Sequence, residues 1–202
     1  SSEGSIIRTF EYGTQLDDWA TDIELSGDQS YVYLTGTTQG FAGSWSDQKG
    51  FIAKFNLKGE LIWERFISTP EDDWASSIST SADGSLYVTG TSRGKPNNAA
   101  NKGDQDIFLV KYKSDGSTAW TTTLGSSLAD WSQSSATSSD GFIYLTGVTY
   151  GDLPGNNQKG GGDAFVAKFE PSTGALAWVT TFGNSSYDKG NCVITAPDGS
   201  VY

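Results

Sequence analysis

The sequence predicts an all-β chain in which one antiparallel four-stranded unit is used repeatedly, and three observations carry that expectation. Four landmarks return in constant order three times, each landmark is a short β-branched or aromatic run, and Gly-bearing turns separate the runs. The first strand, at residues 19 to 25, follows an Asp-Trp pair: Asp17-Asp18-Trp19-Ala20 returns as Asp72-Asp73-Trp74-Ala75 and as Asp130-Trp131-Ser132. The second, 31 to 38, ends in Leu34-Thr35-Gly36-Thr37-Thr38, matched by Val88-Thr89-Gly90-Thr91-Ser92 and Leu145-Thr146-Gly147-Val148-Thr149. The third, 51 to 55, is Phe51-Ile52-Ala53-Lys54-Phe55, and its lysine returns at Lys111 and Lys168, 57 positions apart each time. The fourth, 61 to 67, carries Trp63, matched by Trp120 and Trp178. No segment reads as a helix. Asp83-Gly84, Asp115-Gly116, Asp140-Gly141 and Asp198-Gly199 fall between apolar runs, where Asp-Gly favours the positive φ of a tight hairpin turn.

A four-stranded unit recurring at roughly 57 residues suits a β-propeller blade, because β-helix rungs and leucine-rich repeats are much shorter. The expected fold is all-β, a β-propeller of four-stranded antiparallel blades, with about three and a half blades in this chain. Residues 1–16 hold the last strand of a preceding blade, 17–71, 72–129 and 130–187 are blades, and 188–202 start a further one. On this reading the polypeptide continues into further blades.

The run Asp83-Gly84-Ser85, Tyr87-Val88-Thr89-Gly90-Thr91, then Asp106, Phe108, Lys111-Tyr112, Gly116 and Trp120 resembles the seven-bladed β-propeller repeat (SBBP) family. The resemblance runs over essentially the whole chain and implies a large secreted or cell-surface protein, with no particular activity attached. Two positions depart from it: Lys49 stands where Asp106 and Asp163 stand in the next repeats, and Lys189 stands in the place of Trp19.

Composition narrows the chemistry. Among 202 residues there are 13 Lys+Arg against 24 Asp+Glu, a net charge of −11, which disfavours a nucleic-acid partner. Histidine is absent and cysteine occurs once, so Ser-His-Asp and Cys-His catalysis, Cys/His zinc sites and internal disulfides are excluded from these residues. No stretch is long and apolar enough to span a membrane as a helix. Gly90-Thr91-Ser92-Arg93-Gly94-Lys95-Pro96 approaches a phosphate loop, but it ends in Pro where a magnesium-holding hydroxyl is needed.

The remaining candidates lie in loops and in the repeated residues. Trp45, outside the register, is a candidate ligand or partner platform together with Asp47, and Asp104, Asp152, Asn156 and Asn157 are further contact candidates in Gly- and Asn-rich connections. Asp106 and Asp163 are candidate calcium ligands; the bland reading is that they are turn formers, and no other cofactor is expected. Asn184 opens an Asn-Ser-Ser glycosylation sequon. The in-register tryptophans form either a sugar-stacking ring or packing anchors between blades, and they are expected to be core. The repeated Asp18, Asp73, Asp130 and Asp188 are expected to be structural acceptors, and Lys54, Lys111 and Lys168 to meet an acidic or carbonyl group beside the Asp-Trp segment.

The function expected is that of a non-catalytic extracellular or cell-surface module for structure or adhesion, with another protein, a glycan or a second copy as partner. The alternatives are a lectin-like glycan binder and a part of a propeller enzyme whose site lies in other blades.

Overall fold

A computed structural model describes residues 9–39 and 48–202. Strands β1 (Asp18–Leu25), β2 (Tyr31–Thr38), β3 (Lys49–Asn56) and β4 (Leu61–Ile67) form one antiparallel sheet in chain order. A second sheet follows with β5 (Asp73–Thr80), β6 (Leu86–Ser92), β7 (Asp106–Tyr112) and β8 (Thr118–Leu124). The third is β9 (Asp130–Thr137), β10 (Ile143–Thr149), β11 (Asp163–Phe169) and β12 (Leu176–Phe182). Beyond it, Ile194 and Tyr202 exchange two backbone bonds of 3.0 Å as a short hairpin. The only helical element among the described residues is a 3-10 turn at Pro96–Asn98.

The sheets stack face to face, with their first strands side by side. The cores lie between sheets and not within one. Even positions of β7 (Phe108, Val110, Tyr112) join Leu86 and Val88 against Ile52 and Ile67 of the first sheet. Odd positions (Ile107, Leu109) join Tyr87 against Ile143, Leu145 and Phe165 of the third. A strand covered on both faces has no polar side to alternate with, which is why the central strands read as continuous apolar runs. On the outer face of the first sheet, Tyr12 packs on Phe51 and Phe55.

Every first strand carries one extra residue, at Thr21, Ser76 and Gln133, where its register against the second strand slips. The repeated Thr-Gly-Thr glycine sits opposite this bulge: a methyl group on Gly90 would collide with the Trp74 carbonyl and the Phe108 ring. The residue after the bulge stitches each sheet to the next. Asp22 Oδ2 accepts the Ile78 N–H at 2.9 Å, Ser77 Oγ accepts Ser135 N–H at 3.1 Å, and Ser134 Oγ accepts Val193 N–H at 3.3 Å. Hydroxyl pairs Ser76–Ser132 (2.6 Å) and Ser79–Thr137 (2.8 Å) continue the seam.

The positive φ expected of the Asp-Gly turns is found at their glycines. Only the glycine of each Asp-Gly pair has positive φ (79° at Gly84, 85° at Gly199), with Gly84 N–H bonded to Ser81 O at 3.0 Å. The turn is thus an ordinary β-turn closed by a left-handed glycine, and not the two-residue turn with both central residues at positive φ. The aspartate is spent as an acceptor: Asp83 Oδ1 takes Ser85 N–H at 2.8 Å. In the first sheet the left-handed place belongs to Gln29, at φ 57°.

Candidate functional site

The repeated tryptophans divide into two sets with different jobs. Trp63 and Trp120 lie against the hairpin of the following sheet, their indole N–H groups donating to Ser114 O (3.4 Å) and Pro171 O (3.3 Å). These are the packing anchors the sequence predicts, and Gly116 and Gly174 are the positions where the hairpin backbone meets the indole face. Trp178, in register with them, is 43% exposed. The other set is not core. Trp19 is 45% exposed, and with the half-buried Trp74 and Trp131 it lines a cleft of about 720 Å³ at the first strands of the three sheets. The expectation of burial fails here because these indoles stand at the strand starts, beyond the rows that pack sheet on sheet.

Each sheet gives the cleft a tryptophan and the bulge residue behind it (Thr21, Ser76 or Gln133), and at the two sheet junctions a glutamine preceding the third strand of the sheet before joins them. The Trp74 indole N–H donates to Gln48 Oε1, and Trp131 to Gln105 Oε1 at 2.6 Å. An indole N–H only donates, so each amide must turn its oxygen to the ring and its nitrogen away. A second group steadies each ring: the Arg93 guanidinium lies 5.6 Å from the Trp74 ring centre, and Tyr150 packs edge-on to Trp131 at 5.3 Å. Among the described residues the lining holds no carboxylate, cation or cysteine.

The four repeated aspartates close loops. Oδ2 of Asp18, Asp73, Asp130 and Asp188 accepts the N–H four residues earlier, from Thr14, Thr69, Ser126 and Asn184, at 2.6 to 3.0 Å. Their own N–H groups tie back to the preceding sheet: Asp73 to Gln48 O at 2.8 Å, Asp130 to Gln105 O at 2.7 Å. Two of the three repeated lysines do meet carbonyls, but elsewhere than expected. Lys54 Nζ donates to Ser114 O (3.3 Å) and Lys111 Nζ to Pro171 O (3.1 Å), both in the next sheet's third-to-fourth-strand hairpin. Lys168 lies over the Phe142 ring at 3.7 Å.

The loop candidates do not converge on the cleft. Trp45 and Asp47 lie outside the described residues. Asp104 and Asn157 are exposed, and Asp152 Oδ1 accepts Gln158 N–H at 2.8 Å within its own loop. Asn156 pins that loop to β12, donating to Val179 O at 2.8 Å and accepting from Thr181 N–H at 3.2 Å. Asn184 is exposed, and its Oδ1 accepts Ser186 N–H at 2.8 Å. Asp106 and Asp163 are buried, with Oδ2 held by the N–H of Lys102 and Lys159 respectively. Their Oδ1 atoms, like that of Asp130, have no hydrogen-bond partner among the described residues. No group of three or more His, Cys, Asp or Glu with metal-holding geometry occurs among the described residues. Burial is the main cause that raises the Asp73, Asp106 and Asp130 carboxyls above the usual range.

Sequence reasoning missed Gln48 and Gln105, although the repeat held a signal. The glutamine and the tryptophan change together: Gln48 with Trp74, Gln105 with Trp131, then Gly162 with Lys189.

The chain matches no protein-family model. It is 27% identical over 129 residues to the regulatory protein FlaEY of Caulobacter vibrioides, covering 58% of this chain and 14% of FlaEY, so it spans a small part of that relative. Among solved structures, one described as the eukaryotic initiation factor aligns with 89% of this chain and 36% of its own, at 13% identity and a TM-score of 0.49. The RRP9 WD40 repeats align with 93% of this chain and 86% of their own, at 8% identity and a TM-score of 0.29.

Proposed function

We propose that this chain is an arc of β-propeller blades working as a non-catalytic interaction module at the cell surface, with the indole-lined cleft as its contact site. The carrying observation is the cleft itself: three repeated indoles open on one volume of about 720 Å³, two of them fixed by amide partners, with no titratable group in the lining among the described residues. That size is typical of ligand sites, and rigid aromatics are the usual anchors of binding surfaces. General acid–base or nucleophilic chemistry needs a titratable or nucleophile–base pair facing the substrate, and the described residues of the lining offer none. The cell-surface placement rests on the resemblance of the repeat to the SBBP family.

The test is to present the purified protein to arrays of extracellular proteins and glycans beside a Trp74→Ala/Trp131→Ala variant that keeps its β-sheet circular dichroism. Ligands retained by the parent and lost by the variant are expected. Equal retention by both would place the contact elsewhere, and turnover of a retained ligand would make the protein an enzyme.

A further inference from the structure

The chemistry of the lining narrows the ligand class. Three kinds of occupant suit an indole-rich cleft: a cation such as a quaternary ammonium, an aliphatic or aromatic apolar group, and a carbohydrate. A cation is disfavoured locally. Among the described residues no carboxylate lines the cleft, and Trp74 already carries the Arg93 guanidinium at 5.6 Å from its ring centre. The amide groups add to this, because Gln48 and Gln105 spend their oxygens on indole N–H groups and leave N–H donors for anything else that approaches. A purely apolar occupant would leave those donors, and the Gln133 amide at the same wall, without acceptors.

A pyranose ring answers both demands. One face is C–H and stacks on an indole, while its rim of hydroxyls accepts from amide N–H groups. The Gln–Trp pair also occurs twice, on neighbouring sheet junctions, so a ligand with two like units meets two like half-sites. We infer that the cleft binds a neutral oligosaccharide, an inference resting on the reading of the cleft as the contact site. Stacking comes from Trp74 and Trp131, and the hydrogen bonds come from the amide nitrogens of Gln48 and Gln105.

Titration calorimetry on the whole chain with cello-, xylo-, chito-, manno- and malto-hexaose, tetramethylammonium and the apolar dye ANS tests this. At least one hexaose is expected to bind saturably, with affinity reduced about tenfold or more in Trp131→Ala, a loss of about 1.4 kcal/mol. Gln105→Leu keeps the indole and removes the donor; it is expected to weaken the hexaose without weakening tetramethylammonium or ANS. Binding of tetramethylammonium or ANS alone would overturn the carbohydrate class and leave the cleft as contact site. The same holds if no probe binds while array ligands are still lost in Trp74→Ala/Trp131→Ala. If array ligands also survive that substitution, the contact-site reading falls together with this one.

Discussion

The junction between the first and second sheets and the junction between the second and third solve one structural problem with opposite charges. At the first, Lys49 is 3% exposed and its ammonium donates to Thr69 O and Glu71 O, both at 2.7 Å, while lying 3.9 Å from Asp73. At the second, the same strand position is Asp106, which holds the N–H of Lys102 and so fixes the loop before β7. That loop brings Gly103 against the matching carbonyls: a methyl group on it would lie 2.5 Å from Leu128 O and 2.8 Å from Ser126 O. Loop backbone occupies the space that the ammonium fills at the first junction. The exchange carries companions, since Gly125 and Gly183 crowd the Asp106 and Asp163 carboxylates whereas the position following β4 is Ser68. A position that alternates between Lys and Asp is therefore one constraint met by two sets of residues, and neither set is a strictly repeated ligand site.

The largest expected effect breaks the first junction. Lys49→Ala leaves the Asp73 carboxylate buried without its cation and two carbonyls without a donor, a loss of about 3–5 kcal/mol in denaturant unfolding. Lys49→Asp is expected to be at least as damaging, because the companion glycine of the aspartate form is absent, and Ser68→Gly in that background should recover part of the loss. An unaltered unfolding midpoint for either single substitution would show that the ammonium is dispensable. At the second junction, Gly125→Ala pushes a methyl group into the Asp106 carboxylate and should cost about 1–3 kcal/mol, measured in the same way.

Acid should act in opposite senses on a buried junction carboxyl and on a turn carboxyl. The raised pKa of Asp106 means that the folded state holds its proton more tightly than the unfolded chain does. Its contribution is full below the ordinary aspartate value of about 3.9 and is lost as pH rises through the raised one. Asp106→Asn should therefore compare better with the parent at pH 7 than at pH 4, and a pH-independent difference would contradict this. The turn carboxyl Asp83 runs the other way. Its hydroxyl bond from Ser81 and its N–H bond from Ser85 lower it, so its contribution is present above the ordinary value and lost as pH falls through the lowered one. The smallest expected effect is Gln29→Gly, which relieves a left-handed side chain and should stabilise by about 0.5–1 kcal/mol, read as a rise in melting temperature. A fall would show that the Gln29 side chain earns its strained place.

Strand order, bulk boundaries and the hairpin glycines were legible because each is encoded by residues next to one another: Tyr31 to Thr38 and Phe51 to Phe55 announce themselves. The division of labour among the tryptophans was not. Trp74 and Trp120 look alike as letters, and only the sheet stacking decides that one opens on the cleft and the other on the next hairpin. The same holds for Gln48, whose partner Trp74 stands 26 residues away across a sheet junction. The stitches from Asp22, Ser77 and Ser134 were hidden because a carboxylate and two hydroxyls fill one role, and the bulge that aims them leaves no composition mark.

Those stitches also set how the chain comes apart. Each sheet is bonded and packed to its immediate neighbours, so the molecule is a one-dimensional string of units coupled pairwise. In such a string a unit opens only by giving up its contacts to both neighbours, and the middle sheet is clasped on both faces. Its strands β6 and β7, with no unburied side chain over Leu86 to Ser92 and one half-covered lysine over Asp106 to Tyr112, are where amide protons would persist longest in heavy water.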